Sequence, residues 1–288
     1  MSVTTATEKE SFELQESEPG ASRKLSPGIG RSRTKLIATQ RSMLIFAPLV
    51  LALVLLLSWY ASTVSGRVPA FILPPPRDVF AVLVDGIQAC QFLSNAIVTI
   101  QESLLGFLLG VIIALPLGYA MAKSRLLAAT IQPYLVAGQA IPAIVIAPVL
   151  VLWLGYGLLP ITILCMLVVL FPMVITTALG IQTIDNQYTD AARVEGASGW
   201  SMLAHIEFPL ALPGILAALR IGLTLSITGA LVGEFVCNSA QGLGALVFES
   251  KDQFNAPLLF ATLIFLAGLA ALYYSVSWLL VKLADIVY

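Results

Sequence analysis

Few side chains in this 288-residue chain are of the kinds that carry out chemistry, and their spacing does not bring them together. There is one histidine, His205, so neither a histidine-based metal cluster nor a Ser-His-Asp arrangement can be assembled. Cys90, Cys165 and Cys237 lack both the paired spacing of a metal site and the density of a disulfide framework. Cys90 and Cys237 are both expected on the outer side of a membrane, where they could pair; the preferred reading is free thiols, and the alternative stays open. No glycine-rich phosphate loop ending in Lys-Ser or Lys-Thr is present, so the chain does not hydrolyse a nucleoside triphosphate itself. The expectation is a non-enzyme without cofactor or metal. The polar chemistry that does exist is gathered in residues 190–213, which hold Asp190, Arg193, Glu195, His205 and Glu207 in a chain only 11% charged. Such groups are suited to recognition, by ion pairs and hydrogen bonds offered to something in water.

The local pattern that would position them reads as two short helices joined at a bend. Ala191, Ala192, Val194 and Ala197 are helix-compatible, and the small ones leave a flat face for close approach. Gly196 and Gly199 supply backbone freedom at the bend. Ser198 or Ser201 is placed to cap a second helix through Met202, Leu203, His205 and Ile206. Pro209 and Pro213 are expected to end that helix and return the chain to the membrane. From these residues alone, two readings stand: a loop that caps a helical bundle, or a surface that meets a partner.

The membrane itself follows from composition. With 58% hydrophobic residues and a mean hydropathy of +0.93, the chain is not a soluble globular protein. Its net charge of -1 gives no basic stripe for nucleic acid. Residues 1–42 are polar, acidic first and basic later, and are expected to be a disordered cytoplasmic tail. Residues 43–284 are read as an all-α transmembrane domain of six helices, spanning about 43–60, 104–122, 131–154, 158–181, 214–235 and 257–281. Between the first two, Leu73-Pro74-Pro75-Pro76 is stiff and 77–99 is expected to lie as a helix on the outer surface. Gly106, Gly110 and Gly118 give the second span a small-residue face. Pro142 and Pro148 interrupt the third, either because it lines a cavity or as an ordinary kink. Gln139 and Pro142 are therefore candidates for a translocation path. With the N-terminus inside, 12 of the 15 Lys and Arg residues fall on the cytoplasmic side, as does the 183–213 loop. Arg220 is expected to snorkel to the inner interface and Glu234 to sit near outer water, so no relay of buried carboxylates is expected.

Asp190-Ala191-Ala192, three residues, Gly196, nine residues, then Ile206-Glu207-Phe208-Pro209, resembles the EAA loop of membrane subunits of bacterial ABC importers. That pattern reads Glu-Ala-Ala, three residues, Gly, nine residues, Ile-x-Leu-Pro, so Asp190 and Phe208 are conservative departures. Ala192-Arg193-Val194-Glu195-Gly196-Ala197-Ser198 and Leu212-Pro213-Gly214-Ile215-Leu216-Ala217 are similar to the nitrate/taurine/sulfonate branch. The resemblance implies a type I ABC importer permease fold in a bacterial inner membrane, six spans with both termini cytoplasmic. It implies two permease copies side by side, two ATPase subunits beneath them, and a solute-binding protein or lipoprotein outside. It assigns ATPase coupling to Asp190, Ala191, Ala192, Arg193, Glu195, Gly196, Ala197, Ser198 and Pro209. The branch includes permeases for sulfonates, taurine, nitrate and bicarbonate, and for vitamins or precursors such as riboflavin and thiamine pyrimidines. An ion-coupled carrier and a non-transporting membrane scaffold are the alternatives.

Overall fold

Glycines and prolines punctuate an otherwise continuous helix-forming sequence, and they decide where this chain turns. The computed structural model describes residues 47, 50–66, 68–237, 239 and 241–287, and all of their regular structure is helical. The 1–42 tail lies outside the described residues. The chain divides into two units, Met1–Leu57 and Ser58–Tyr288. The described part of the first is helical and apolar. It begins α1 (Val50–Val64), which is shorter than a full membrane span.

In the second unit, α2 (Pro76–Gln88) starts on a proline at its first position, where no N–H is required. The expected surface helix over 77–99 is instead broken: Cys90 adopts a left-handed conformation (φ 57°) and begins α3 (Gln91–Lys123). At 33 residues, α3 is about 50 Å long, well beyond the hydrocarbon thickness of a bilayer. Its glycine face packs as the spacing requires: Gly106, Gly110 and Gly118 lie against Cys165, Val169 and Thr177 of α6 (Leu158–Gln182).

The expected third span is not one interrupted helix. It is two, α4 (Arg125–Ala140) and α5 (Ala143–Leu154), which meet at 98°. Ile141 is extended (φ -78°, ψ 118°), as a residue before proline tends to be, and Pro142 cannot donate to the preceding turn. Next come α7 (Asn186–Val194), α8 (Gly199–Met202), a π-helical turn (Leu203–Glu207) and α9 (Phe208–Val236). Pro209 and Pro213 do not stop the helix, which runs on from Gly199 to Val236. Pro209 falls in the first turn of α9, directly after the widened π turn, where a missing N–H is tolerated. α10 (Leu243–Asp252) and α11 (Ala256–Val287) complete the unit.

α3, α6 and α9 form the centre, with α4 and α5 against α6, and α2, α10 and α11 on the other side. The tightest approach joins α6 to α9: a Cβ on Gly214 would lie 2.5 Å from the Cα of Gly180, so the backbones touch. Four of the described helices are long and apolar enough to cross a membrane, and five if the bent α4–α5 pair counts as one span.

Candidate functional site

At one end of the bundle, α7 and α8 carry the polar segment outward. Asp185 starts α7, its Oδ1 accepting from the Gln187 N–H at 3.0 Å. The helix closes with the Gly196 N–H donating to the Arg193 carbonyl (3.0 Å) and the Ala197 N–H to the Ala192 carbonyl (2.9 Å). This pair of bonds needs a left-handed residue at Gly196, which has φ 92°. Gly199 is also left-handed (φ 52°) and opens α8. Ser198 does stand before α8, but its side chain makes no capping bond.

Asp190, Ala191, Arg193, Glu195, Gly196 and Ser198 are exposed, Ala197 and Pro209 are half-buried, and Ala192 is buried. Arg193 donates to Asp190 at 3.1 Å, one helical turn away. Among them stand three large apolar side chains, Tyr188, Val194 and Trp200, 61%, 89% and 77% exposed, of which the sequence reading names only Val194, as a helix-compatible residue. Apolar side chains this exposed beside polar neighbours form the kind of patch that protein or membrane contacts cover. His205 is exposed, with Nδ1 3.2 Å from the Ser201 carbonyl.

Behind this surface sits a group that sequence reasoning treated only as part of the loop. Glu207 closes the π turn and is 3% exposed. Lys123 Nζ donates to one of its oxygens at 2.5 Å and Tyr119 Oη to the other at 2.9 Å. Lys123 also lies 5.7 Å from the Tyr119 ring centroid. Next to the trio is an apolar cavity of about 340 Å³ lined by Leu115, Pro116, Trp200, Leu203 and Phe208 among others. A signal was available in the sequence: Glu207 is an acid between Ile206 and Phe208, a position too apolar for an unpaired carboxylate.

The two path candidates come together. Gln139 and Pro142 line a second cavity of about 340 Å³ at the α4–α5 bend, with Phe171, Pro172 and Leu225 on the facing helices. None of the described residues that line it is charged.

The expectation of no buried carboxylates is corrected. Glu234 is fully buried and Glu102, 2% exposed, lies close to it; Glu102 Oε2 and Glu234 Oε1 are buried without a hydrogen-bond partner. Glu234 is kept from water because the α9–α10 connection folds over it, with the Gly244 N–H donating to Oε2 at 2.5 Å. The same connection is tied to α3 by the Gly242 N–H on Asn95 Oδ1 (2.8 Å) and the Leu243 N–H on Thr99 Oγ1 (3.0 Å). Arg220 lies over the Tyr274 ring, 4.7 Å from its centroid. The three cysteines are free, Cys90 exposed and the other two buried.

With this geometry in place, residues 106–288 match the family described as binding-protein-dependent transport system inner membrane component. The chain is 37% identical over 234 residues to the riboflavin transport system permease protein of Chloroflexus aurantiacus, covering 81% of this chain and 87% of that protein. It is 28% identical over 233 residues to the formylaminopyrimidine transport permease protein of Halalkalibacterium halodurans, covering 81% and 92%. Among solved structures, an inward-facing MetNI methionine ABC transporter superposes with a TM-score of 0.61 at 20% identity, over 67% of this chain and 96% of that one.

Proposed function

Because this chain belongs to the family of binding-protein-dependent transport system inner membrane components and is a membrane permease of an ABC importer, we propose that it carries a small uncharged nitrogen heterocycle, a vitamin or vitamin precursor, into a bacterial cell. The carrying observation is the cavity at the α4–α5 bend. It has an aromatic wall in Phe171, one amide in Gln139, and, among the described residues, no lysine or arginine to hold an anion. A flat ring with a few hydrogen-bonding groups suits such a site better than taurine, a sulfonate or nitrate, which need fixed positive charge. The relatives named for riboflavin and formylaminopyrimidine transport agree with this choice.

In this reading the bundle has six spans with both termini cytoplasmic, the first span lying in residues 43–60 and 1–42 forming the tail. Two copies stand side by side over two ATPase subunits, and a solute-binding protein delivers the solute outside. Residues 183–213 form the coupling loop. Asp190, Arg193 and Glu195 set its register on the ATPase by charge, and Val194 and Trp200 fill apolar hollows there. Closure of the ATPase pair favours one arrangement of the loop over another, and that difference in contact energy is what switches access. Bending at Pro142 then opens or shuts the cavity.

The experiment is uptake of tritiated riboflavin by cells expressing the permease with its neighbouring ATPase and binding-protein genes, with unlabelled riboflavin, a thiamine pyrimidine, taurine and nitrate as competitors. Competition by the heterocycles alone is the expected result. Competition by taurine or nitrate would overturn the assignment, as would energy-dependent uptake in the absence of the ATPase.

A further inference from the structure

We propose that Glu207, Lys123 and Tyr119 form a strut that carries movement of the coupling segment into α3. The proposal rests on the coupling role given above to residues 183–213, and adds positioning residues that lie behind the contact surface rather than on it.

Three observations carry it. Glu207 is withdrawn from water, and both of its oxygens are taken by α3, one by Lys123 and one by Tyr119. A carboxylate in that position holds only while its partners stay with it, since removing one leaves an uncompensated charge. The inner end of α3 and the π turn therefore move as one body. Second, this is the ion pair that joins distant parts of the chain. The other two among the described residues, Arg77–Asp78 and Arg193–Asp190, link positions one and three apart, whereas Lys123 and Glu207 are 84 positions apart. Third, the apolar packing beside the trio, of Leu115, Tyr119 and Ala122 of α3 with Ala211 and Ile215 of α9, is interrupted by open space. The neighbouring space between α3 and α8–α9 is the apolar cavity of about 340 Å³, where side chains have room to shift.

The π turn adds the other half of the device. Single π turns inside helices are rare and frequently lie at functional sites, and this one sits between α8, which meets the partner in the reading above, and α9, which spans the membrane. A displacement of α8 can thus be taken up at Leu203–Glu207 and passed sideways through Glu207 rather than only along α9. From α3 it reaches α6 by the close packing of Gly106, Gly110 and Gly118.

Energetic coupling is demonstrated by a cycle of variants rather than by adjacency. The complex of this chain with its ATPase would be purified and placed in lipid nanodiscs. Cys90 would be replaced by serine, and spin labels attached to Ile113→Cys on α3 and Leu263→Cys on α11, both exposed positions. The distance between them would be measured with and without ATP plus vanadate. In the otherwise native chain, nucleotide trapping shifts the distance. Lys123→Glu and Glu207→Lys each keep the ATPase bound and hydrolysis within about two-fold, yet reduce the shift to less than about a third. Lys123→Glu/Glu207→Lys restores most of it, and Lys123→Arg is close to native. If the single reversals fail to accumulate in membranes, Lys123→Gln and Glu207→Gln take their place with the same expected loss.

A role in folding alone would lower complex yield and hydrolysis together, without separating hydrolysis from movement. A native distance change in the single variants, or a double variant no better than either single, would overturn the strut. So would the absence of any nucleotide-dependent shift in the native chain. Failure of the native chain to recover an ATPase at all would instead overturn the coupling role on which the strut depends.

Discussion

Gly196 allows the partner surface to be tested separately from the fold. It is the left-handed residue that closes α7 (φ 92°), and a Cβ built on it meets nothing within 4 Å. Two costs that are usually mixed are therefore separable here. Any L-residue at this position incurs left-handed strain of about 1–2 kcal/mol, whatever its size, because the open space adds no clash. Alanine and tryptophan should thus destabilise the isolated permease about equally, by an amount the bundle survives. They differ only in what they present outward, from a surface already flanked by exposed Val194 and Glu195. If an ATPase seats against the bend, Gly196→Trp adds bulk inside that contact, and misfits of a buried interface residue cost about 2 kcal/mol or more, roughly 30-fold in affinity. The assay is affinity purification from native membranes in mild detergent with quantitative mass spectrometry, alongside membrane abundance and uptake. The expected pattern is equal insertion of both variants, near-native ATPase recovery with Gly196→Ala, and recovery and uptake reduced at least about ten-fold with Gly196→Trp. Equal recovery with both variants would refute the reasoning. A fall in membrane abundance for tryptophan alone would also refute it, because it would show that the space is not open.

Three further outcomes follow from packing and exposure. Gly214→Ala forces α9 away from Gly180 of α6 and should destabilise the solubilised protein by about 1–3 kcal/mol, read as a lowered melting temperature. Gly268→Ala on α11, where a Cβ has nothing within 4 Å, should be neutral or slightly stabilising. With a maleimide at neutral pH, Cys90 should label quickly while Cys165 and Cys237 stay protected, which intact-mass measurement counts directly. Burial also raises the Cys237 thiol above its ordinary value, leaving less of the reactive thiolate. Rapid labelling of two cysteines would show that the α9–α10 connection opens.

Much of this protein was legible in its residues. Composition alone placed it in a membrane. Glycines at four-residue multiples identified the face of α3 that meets α6, because close helix approach demands small residues wherever it occurs. The segment around Asp190, Gly196 and Pro209 stood out as polar residues between apolar runs, and its bend could be read because left-handed backbone favours glycine. These are local properties, set by a residue and its near neighbours.

What the sequence left open was decided by groups far apart in the chain. Pro142 announced a break, but only the packing of α4 and α5 on α6 turned it into a 98° bend enclosing a cavity with Phe171 and Pro172. Pro209 looked like a helix stop, and the π turn before it allowed the helix to continue. Glu234 seemed close to outer water until the α9–α10 connection covered it beside Glu102. Glu207 could have pointed anywhere until Lys123 and Tyr119 met it from 84 and 88 positions away. Whether a charge is solvated or buried depends on what packs over it, and that is a property of the assembled bundle rather than of any stretch of residues.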